Sequence, residues 1–324
     1  MISVVVPTFN RPDGLTRAVE SLFAQSLATS GFALIIVDNT PDATAAKVIE
    51  SLRDACPESI RFVALHEPAA GVANARNCAM KAVETDLVAF LDDDQSAPTD
   101  WLQNLLQVHA EYPSAVTFGP VLTELTEETH RHRDYFKAFF ARDPGFETGY
   151  IHTSFGCGNA LIDFSIMPGG APYFDTEMNE TGGEDDVLFR RVRHGSNLFA
   201  WAANAPVSEH PPADRVTLRY TLKRSFSYGQ APITFARRDK PTRYGAIAAW
   251  VLVGTGKTIV HGALWVGLSI IRHRNRAFQL DKAVRGLGKM LWWIELRFYG
   301  ATALKRKTSN RAHSSSPTLS TEAE

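Results

Sequence analysis

The chain has 324 residues, 44% of them hydrophobic, enough for one large core with an appended region, and a net charge of −1. Its three cysteines, Cys56, Cys78 and Cys157, are too few and too scattered for a disulfide framework or a zinc site, and fit a reducing compartment. The near-neutral charge hides an asymmetry: residues 1–214 carry 14 Lys and Arg against 30 Asp and Glu (−16), whereas residues 215–311 carry 20 against 3 (+17). Two bodies of opposite sign predict two tasks, and the basic one needs an anionic partner.

The opening Met1-Ile2-Ser3-Val4-Val5-Val6-Pro7 lacks a basic leader and reads as a strand over 2–6, not as a secretory signal. Short apolar, partly β-branched runs predict further strands over 33–37, 60–65, 87–91 and 115–119. Amphipathic stretches over 13–27, 42–55, 73–84 and 100–110 alternate with them at lengths suited to crossover helices. This alternation predicts an α/β fold, a mostly parallel central sheet flanked by helices. Residues 120–180 are irregular and include Gly156-Cys157-Gly158-Asn159 and Pro168-Gly169-Gly170; a helix is expected over 183–194. A basic connector over 211–243 leads to apolar stretches over 245–256 and 262–271, separated by Lys257 and His261, and a last amphipathic stretch covers about 280–304. From Thr308 the chain is rich in Ser, Thr, Pro and Glu without apolar anchors, the composition of a disordered tail.

Ligands of such sheets sit outside the carboxyl ends of the strands. The residues there are Pro7-Thr8-Phe9-Asn10, then Asp38-Asn39, then Asp92-Asp93-Asp94. Three carboxylates ending a buried strand repel one another, and a hard cation such as Mg²⁺ or Mn²⁺ bridging them to a phosphate removes that cost; a solvated acidic turn is the plain alternative. Asp38 can accept hydrogen bonds from a nucleobase or ribose, or cap the helix that follows. Arg76, near a helix start, can clamp a diphosphate or lie on the surface. Glu184-Asp185-Asp186 follow the pair Gly182-Gly183. They either satisfy a helix N-terminus or present a carboxylate at a cleft for general-base work. Gly254-Thr255-Gly256-Lys257-Thr258 imitates a P-loop, but Val251 stands where that pattern requires glycine, and no GxGxxG follows the first strand.

The segments VVVPTFNRPDGL, IIVDN, GVANARNCAM, LVAFLDDDQ, FGCGNALI and TGGEDDVLF resemble, in order and spacing, the family 2 glycosyltransferases of the GT-A fold. The match covers roughly residues 1–215, and the stretch from Glu209-His210-Pro211 to Gly229-Gln230 is similar to the succinoglycan-type exopolysaccharide glucosyltransferases of bacteria. The resemblance implies that Pro7, Thr8, Asn10, Arg11, Asp38, Arg76, Asp92 and Asp93 surround the nucleotide sugar. It implies a Mg²⁺ or Mn²⁺ ion on Asp94 and Asp92, with His210 beside the diphosphate or metal. Asp185 would be the catalytic base, paired with Glu184. Val187 replaces an acidic residue frequent in the family, and the processive-synthase signature QxxRW is not present, which favours a single sugar addition.

The expected organisation is thus a nucleotide-sugar-binding and catalytic domain over 1–214, a basic helical membrane-associating region over 215–307, and the tail over 308–324. The expected activity is inverting transfer of a hexose, from UDP-glucose or a similar donor, to a polyprenyl-diphosphate-linked oligosaccharide in exopolysaccharide or surface polysaccharide biosynthesis. A sugar nucleotidyltransferase and a non-catalytic component of an assembly complex are the alternatives. The basic segment holds four of the six tryptophans, Trp250, Trp265, Trp292 and Trp293. With Lys and Arg around apolar runs, these point to the cytoplasmic face of a bacterial inner membrane instead of nucleic acid. Residues 245–271 are long enough for one span, but Lys257 and His261 at their middle favour an interfacial placement.

Overall fold

The computed structural model describes residues 1–29, 31–126, 131–193 and 199–298; the expected disordered tail and the end of the last amphipathic stretch lie outside the described residues. In chain order the elements are β1 (Ile2–Thr8), α1 (Pro12–Phe23), β2 (Ala33–Asp38), α2 (Ala46–Asp54), β3 (Arg61–His66), α3 (Val72–Met80), β4 (Leu87–Phe90), β5 (Gln95–Ser96), α4 (Trp101–Glu111), β6 (Val116–Phe118) and β7 (Val121–Thr123). They continue with α5 (Arg133–Phe140), β8 (Gly149–Ile151), β9 (Ala160–Asp163), α6 (Glu184–Arg193), β10 (Phe199–Trp201), β11 (Val207–Glu209), α7 (Leu218–Arg238), α8 (Tyr244–Ile270) and α9 (Arg276–Met290).

Eight strands form the main sheet in the order β3-β2-β1-β4-β9-β6-β10-β8, and β5-β11-β7 form a small second one. β3, β2, β1 and β4 are parallel; β9 runs antiparallel to both β4 and β6, β10 parallel to β6, and β8 antiparallel to β10. Six of the eight strands therefore share one direction. β9, from the irregular region, inserts between β4 and β6, where four residues almost wholly buried carry no alternation to announce a strand.

The sheet is covered on both faces. Val4, Val6, Leu34 and Ile36 pack against α1, α2 and α4, while Val5, Ile35 and Val37 face α3 and α6. The period of two sends alternate side chains to opposite faces, and both are apolar. Because β1, β2 and β4 are parallel, Thr8, Asp38 and the triplet after Leu91 leave the sheet at one edge, as the sequence predicts.

The C-terminal segment departs from expectation in one element. The basic connector is mostly the 21-residue helix α7, capped by Thr217, which accepts a hydrogen bond from the Tyr220 N–H at 3.2 Å. Its buried face is Thr221, Ser225, Gly229, Ile233 and Ala236. That spacing is helical, but the residues are mostly small, so no apolar stripe marks it. Small residues are needed because a Cβ on Gly229 would strike the Arg285 carbonyl, and one on Gly288 the Phe226 carbonyl. Buried Asp281 ties α9 to the rest: it accepts from Tyr135 Oη of α5 at 3.1 Å, from Ser225 Oγ of α7, and from Arg285 Nε at 2.8 Å. The two apolar stretches around Lys257 and His261 are one continuous 27-residue helix, α8, along which only Gly254 is buried.

Candidate active site

At the strand-end edge lies a cavity of about 930 Å³, within the range of small-molecule sites. Asp92, Asp93 and Asp94 line it, and so do Glu184 and Asp185 from the start of α6. The two acidic clusters, 90 residues apart in sequence, meet across the Gly156–Gly158 loop. A Cβ on Gly158 would collide with the Asp92 carboxylate, and one on Gly156 would sit 3.2 Å from both Asp185 Oδ2 and Arg142 Nη1. Gly182 and Gly183, at φ +79° and +100°, adopt the left-handed backbone that lets α6 begin beside this loop.

Each aspartate of the triplet has a different environment. Asp93 is buried, accepting from Thr8 Oγ1 at 2.9 Å, the Phe9 N–H at 3.2 Å and Arg11 at 2.6 Å. Burial pushes its carboxyl up, with Arg11 opposing. It orients the β1 turn. Asp94 pairs with the same Arg11 nitrogen at 2.7 Å and with Arg215 at 3.7 Å. Asp92, the most open of the three, holds Arg76 at 3.3 Å. Asp92 and Asp94 are the carboxylates that would offer hard oxygen ligands to a divalent cation. Among the described residues no three His, Cys, Asp or Glu side chains converge to cage a metal alone. That donor set fits an ion held by one or two carboxylates and completed by substrate phosphates and water.

Arg76 is 4% exposed, ion-paired to Glu184 as well as to Asp92, and flanked by the rings of Phe90 and Phe174 at 5.9 and 5.6 Å. The expected diphosphate clamp is thus committed to two carboxylates, locking the acidic clusters together. Burial, then Asp185, push the Glu184 carboxyl up to about 7 against the pull of Arg76. Asp185 is held by two backbone donors, the Cys157 N–H at 3.2 Å and the Asp186 N–H at 2.8 Å. Pro7, Thr8 and Arg11 line the cavity as expected.

Three of the expected residues are engaged by local partners. Asp38 does not face the cavity: it is 2% exposed and accepts from Thr40 N at 3.0 Å, Thr40 Oγ1 at 2.7 Å and Ala45 N at 2.7 Å, the capping role. Its neighbour Asn39 lines the cavity instead and accepts from the Gly71 N–H at 2.7 Å. Asn10, at φ +56°, has its side chain 3.3 Å from Thr44 Oγ1, outside the lining. The ring of His210 turns to Ser96 Oγ at 2.9 Å and lies 3.7 Å from Glu124, although the backbone N–H of His210 donates to the Asp94 carbonyl at 2.7 Å. Burial, then Arg17, lower its pKa, with Glu124 and Asp94 opposing.

Residues without a predicted role complete the site. Glu209, ending β11, faces Arg142 at 3.5 Å. Burial pushes it up to about 7, Arg142 opposing and Asp94 and Asp92 reinforcing. Arg142 follows α5 in a region with no motif to announce it. The opposite wall comes from α7, α9 and residues 292–298, with Arg224, Arg237, Arg285, Tyr228 and Trp292. The charge asymmetry of the chain was its only signal. Part of that asymmetry is satisfied internally: Arg238 pairs with Asp175 and Glu177, and Arg297 with Glu180.

The family model for glycosyl transferase family 2 matches residues 3–167. The chain is similar to the succinoglycan biosynthesis protein ExoM of Rhizobium meliloti, 29% identical over 258 residues, 79% of this chain and 80% of that protein. It is also similar to the pre-mycofactocin glycosyltransferase of Mycobacterium tuberculosis, 30% identical over 277 residues, 79% of this chain and 53% of the relative. Among solved structures, the mannosyltransferase PcManGT from Pyrobaculum calidifontis, in complex with GDP-Man and Mn²⁺, superposes at TM-score 0.62. It has 16% identity, covering 91% of this chain and 88% of that one. S. aureus TarS 1-349 in complex with UDP-GlcNAc superposes at TM-score 0.52 with 14% identity, covering 89% and 90%. At these identities the structural likeness is one of fold.

Proposed function

The chain belongs to the family 2 glycosyl transferases, with their GT-A fold, and on that premise we propose an inverting, metal-dependent hexosyltransferase of bacterial polysaccharide biosynthesis. The observation that carries this reading is the single cavity in which the triplet Asp92-Asp93-Asp94 and Asp185 face each other across the Gly156–Gly158 loop. A nucleotide diphosphate hexose, UDP-glucose or a similar sugar, lies at the strand ends with its diphosphate at Asp92 and Asp94. A Mg²⁺ or Mn²⁺ ion bound there supplies charge neutralisation for the departing diphosphate. The relative engaged in succinoglycan biosynthesis and the neighbours bound to UDP-GlcNAc and to GDP-Man with Mn²⁺ support this donor class and cation.

Asp185, fixed by its two backbone donors, accepts the proton of the acceptor hydroxyl. The hydroxyl oxygen forms its bond to the anomeric carbon as the bond from that carbon to the diphosphate oxygen breaks on the opposite face. One displacement inverts the anomeric configuration. The Asp185→Asn variant is expected to keep donor binding and lose about 10²–10⁴-fold in transfer, the usual scale of general-base catalysis. Wild-type turnover in that variant excludes Asp185 as the base, and release of pyrophosphate instead of a nucleoside diphosphate from wild-type enzyme identifies a nucleotidyltransferase.

The acceptor is a lipid-linked oligosaccharide presented at the cytoplasmic face of the inner membrane, and α8 is the element that attaches to the membrane. It is the one helix among the described residues long and apolar enough to cross a bilayer, with mean hydropathy 1.3 and 6% of its apolar window buried. α9 packs along it, with Gly254 against Gly286, and the ring nitrogen of His261 lies 2.8 Å from Gln279 Oε1. A span would carry Lys282 and Asp281 of α9 into the hydrocarbon, so α8 lies in the interface plane.

A further inference from the structure

One arginine runs along the loop that separates the two acidic clusters. Arg142 Nη2 donates to the Gly158 carbonyl at 3.4 Å, and Gly158 is the residue whose Cβ would collide with Asp92. At the other end of the guanidinium, Nη1 and Asp185 Oδ2 each lie 3.2 Å from the place of a Gly156 Cβ. Among the described residues Arg142 pairs with Glu209, at 3.5 Å, and not with Asp185. The guanidinium therefore spans the gap between the aspartate triplet and the proposed base.

Both members of the Arg142–Glu209 pair are carried by the small sheet. β11 runs parallel to β7, with Glu209 opposite Thr123, and antiparallel to β5, with Glu209 opposite Gln95, the residue after the triplet. Arg142 is fixed to β7 as well: its backbone N–H donates to the Val121 carbonyl at 2.9 Å, and the Val121 N–H donates back at 3.1 Å. Side chains set on paired strands hold their geometry better than side chains on a free loop.

The pair is positioned firmly but closed loosely. Its 3.5 Å contact is long beside the about 2.7–2.9 Å of a charge-assisted N–H···O bond. Arg142 Nε is buried and, among the described residues, has no hydrogen-bond partner. Both side chains line the cavity. Donor capacity remains on one and acceptor capacity on the other.

The reaction geometry decides what lies against them. An anomeric carbon that leaves a diphosphate at Asp92 and Asp94 for an oxygen deprotonated at Asp185 must stand between those groups. The sugar ring carrying it then lies over the Gly156–Gly158 loop, beside Arg142 and Glu209. A hydroxyl both donates and accepts, whereas a guanidinium only donates and a carboxylate accepts, so an Arg–Glu pair satisfies neighbouring hydroxyls of one ring.

We propose that Arg142 and Glu209 form the subsite that reads the hydroxyl groups of the transferred hexose, held by the small sheet between the diphosphate and Asp185. The proposal rests on the transferase reading and adds to it the residues that select the sugar. A purely structural ion pair is the competing role.

Calorimetric titration of the full chain in Mg²⁺ compares UDP with UDP-glucose, and GDP with GDP-mannose. Arg142→Ala and Glu209→Ala should each weaken nucleotide-sugar binding about 10–100-fold more than binding of the free nucleotide, the range for a lost hydrogen bond to a charged group. Arg142→Lys and Glu209→Gln, which keep a donor and an acceptor, should restore part of that ratio. A change of field near Asp92 and Asp94, or of folding, moves both ligands together and leaves the ratio as it was. An unchanged ratio in either alanine variant therefore overturns the proposal and leaves the pair a structural one. If an alanine variant does not fold, the Lys and Gln variants are read against the wild type by the same ratio. A wild type that binds neither nucleotide sugar refutes the transferase reading and this subsite with it. A donor bound equally well by wild type and variants removes the subsite alone.

Discussion

Glu184 sets burial directly against ion pairing. Its carboxyl is 4% exposed and touches Arg76, which would hold it ionised if that pair acted alone. Burial prevails, because Arg76 is shared with Asp92 and because Asp185 adds repulsion, and the carboxyl moves from 4.5 up to about 7. A folded-state pKa above the unfolded one means that the native chain binds this proton more tightly. The resulting stabilisation is complete below pH 4.5 and is lost as pH rises through about 7. Its full size is 2.5 pH units at about 1.4 kcal/mol each, about 3–4 kcal/mol. Glu184→Gln keeps the shape beside Arg76 and removes the equilibrium. The variant's stability relative to wild type should therefore climb by about 3 kcal/mol between pH 4.5 and 8. Urea unfolding midpoints of both proteins across that range, in EDTA, measure it. A difference that does not change with pH refutes the argument. A difference that falls as pH rises means that Arg76 outweighs burial and that Glu184 is ionised throughout.

Two further outcomes test the C-terminal helices. Gly288→Ala places a Cβ against the Phe226 carbonyl and should force α7 from α9, costing about 1–3 kcal/mol as overpacking does; an unchanged urea midpoint contradicts that contact. Leu252 and Ile259 are 73% and 66% exposed on α8. Replacing both with Asp should remove about 3–6 kcal/mol of membrane partitioning and shift the protein to the soluble fraction in low salt. A wild-type chain already free of membranes in low salt defeats the interfacial role of α8.

The sheet's first half was legible because β1, β2 and β4 are continuous apolar runs, closed by polar residues where the chain must leave the core. Parallel pairing then fixes those ends at one edge, so the triplet and its neighbourhood followed from the chain itself. Asp185 was legible as a candidate base through the glycine pair before it and the family's motif order. Its place opposite Asp92 was not, since 90 residues and the antiparallel β9 lie between them.

Asp38, Asn10 and His210 mark the limit. Position past a strand end brings a side chain near the cleft, but local donors decide where it turns: Ala45 and Thr40 claim Asp38, and Ser96 claims His210. Helix α7 was hidden for a different reason, since its contacts are made by Gly229, Ser225 and Thr221, and close backbone approach leaves no hydrophobic period to read. The sequence by itself determined the α/β framework, the two acidic clusters and the opposed charges of the two halves, because these depend on runs and spacings along the chain. Only the tertiary structure decided that the basic half folds back as the wall of the acidic cavity. Contacts between Arg237 and Trp292, or Arg285 and Tyr228, span 55 and 57 residues, and no local pattern encodes which distant faces meet.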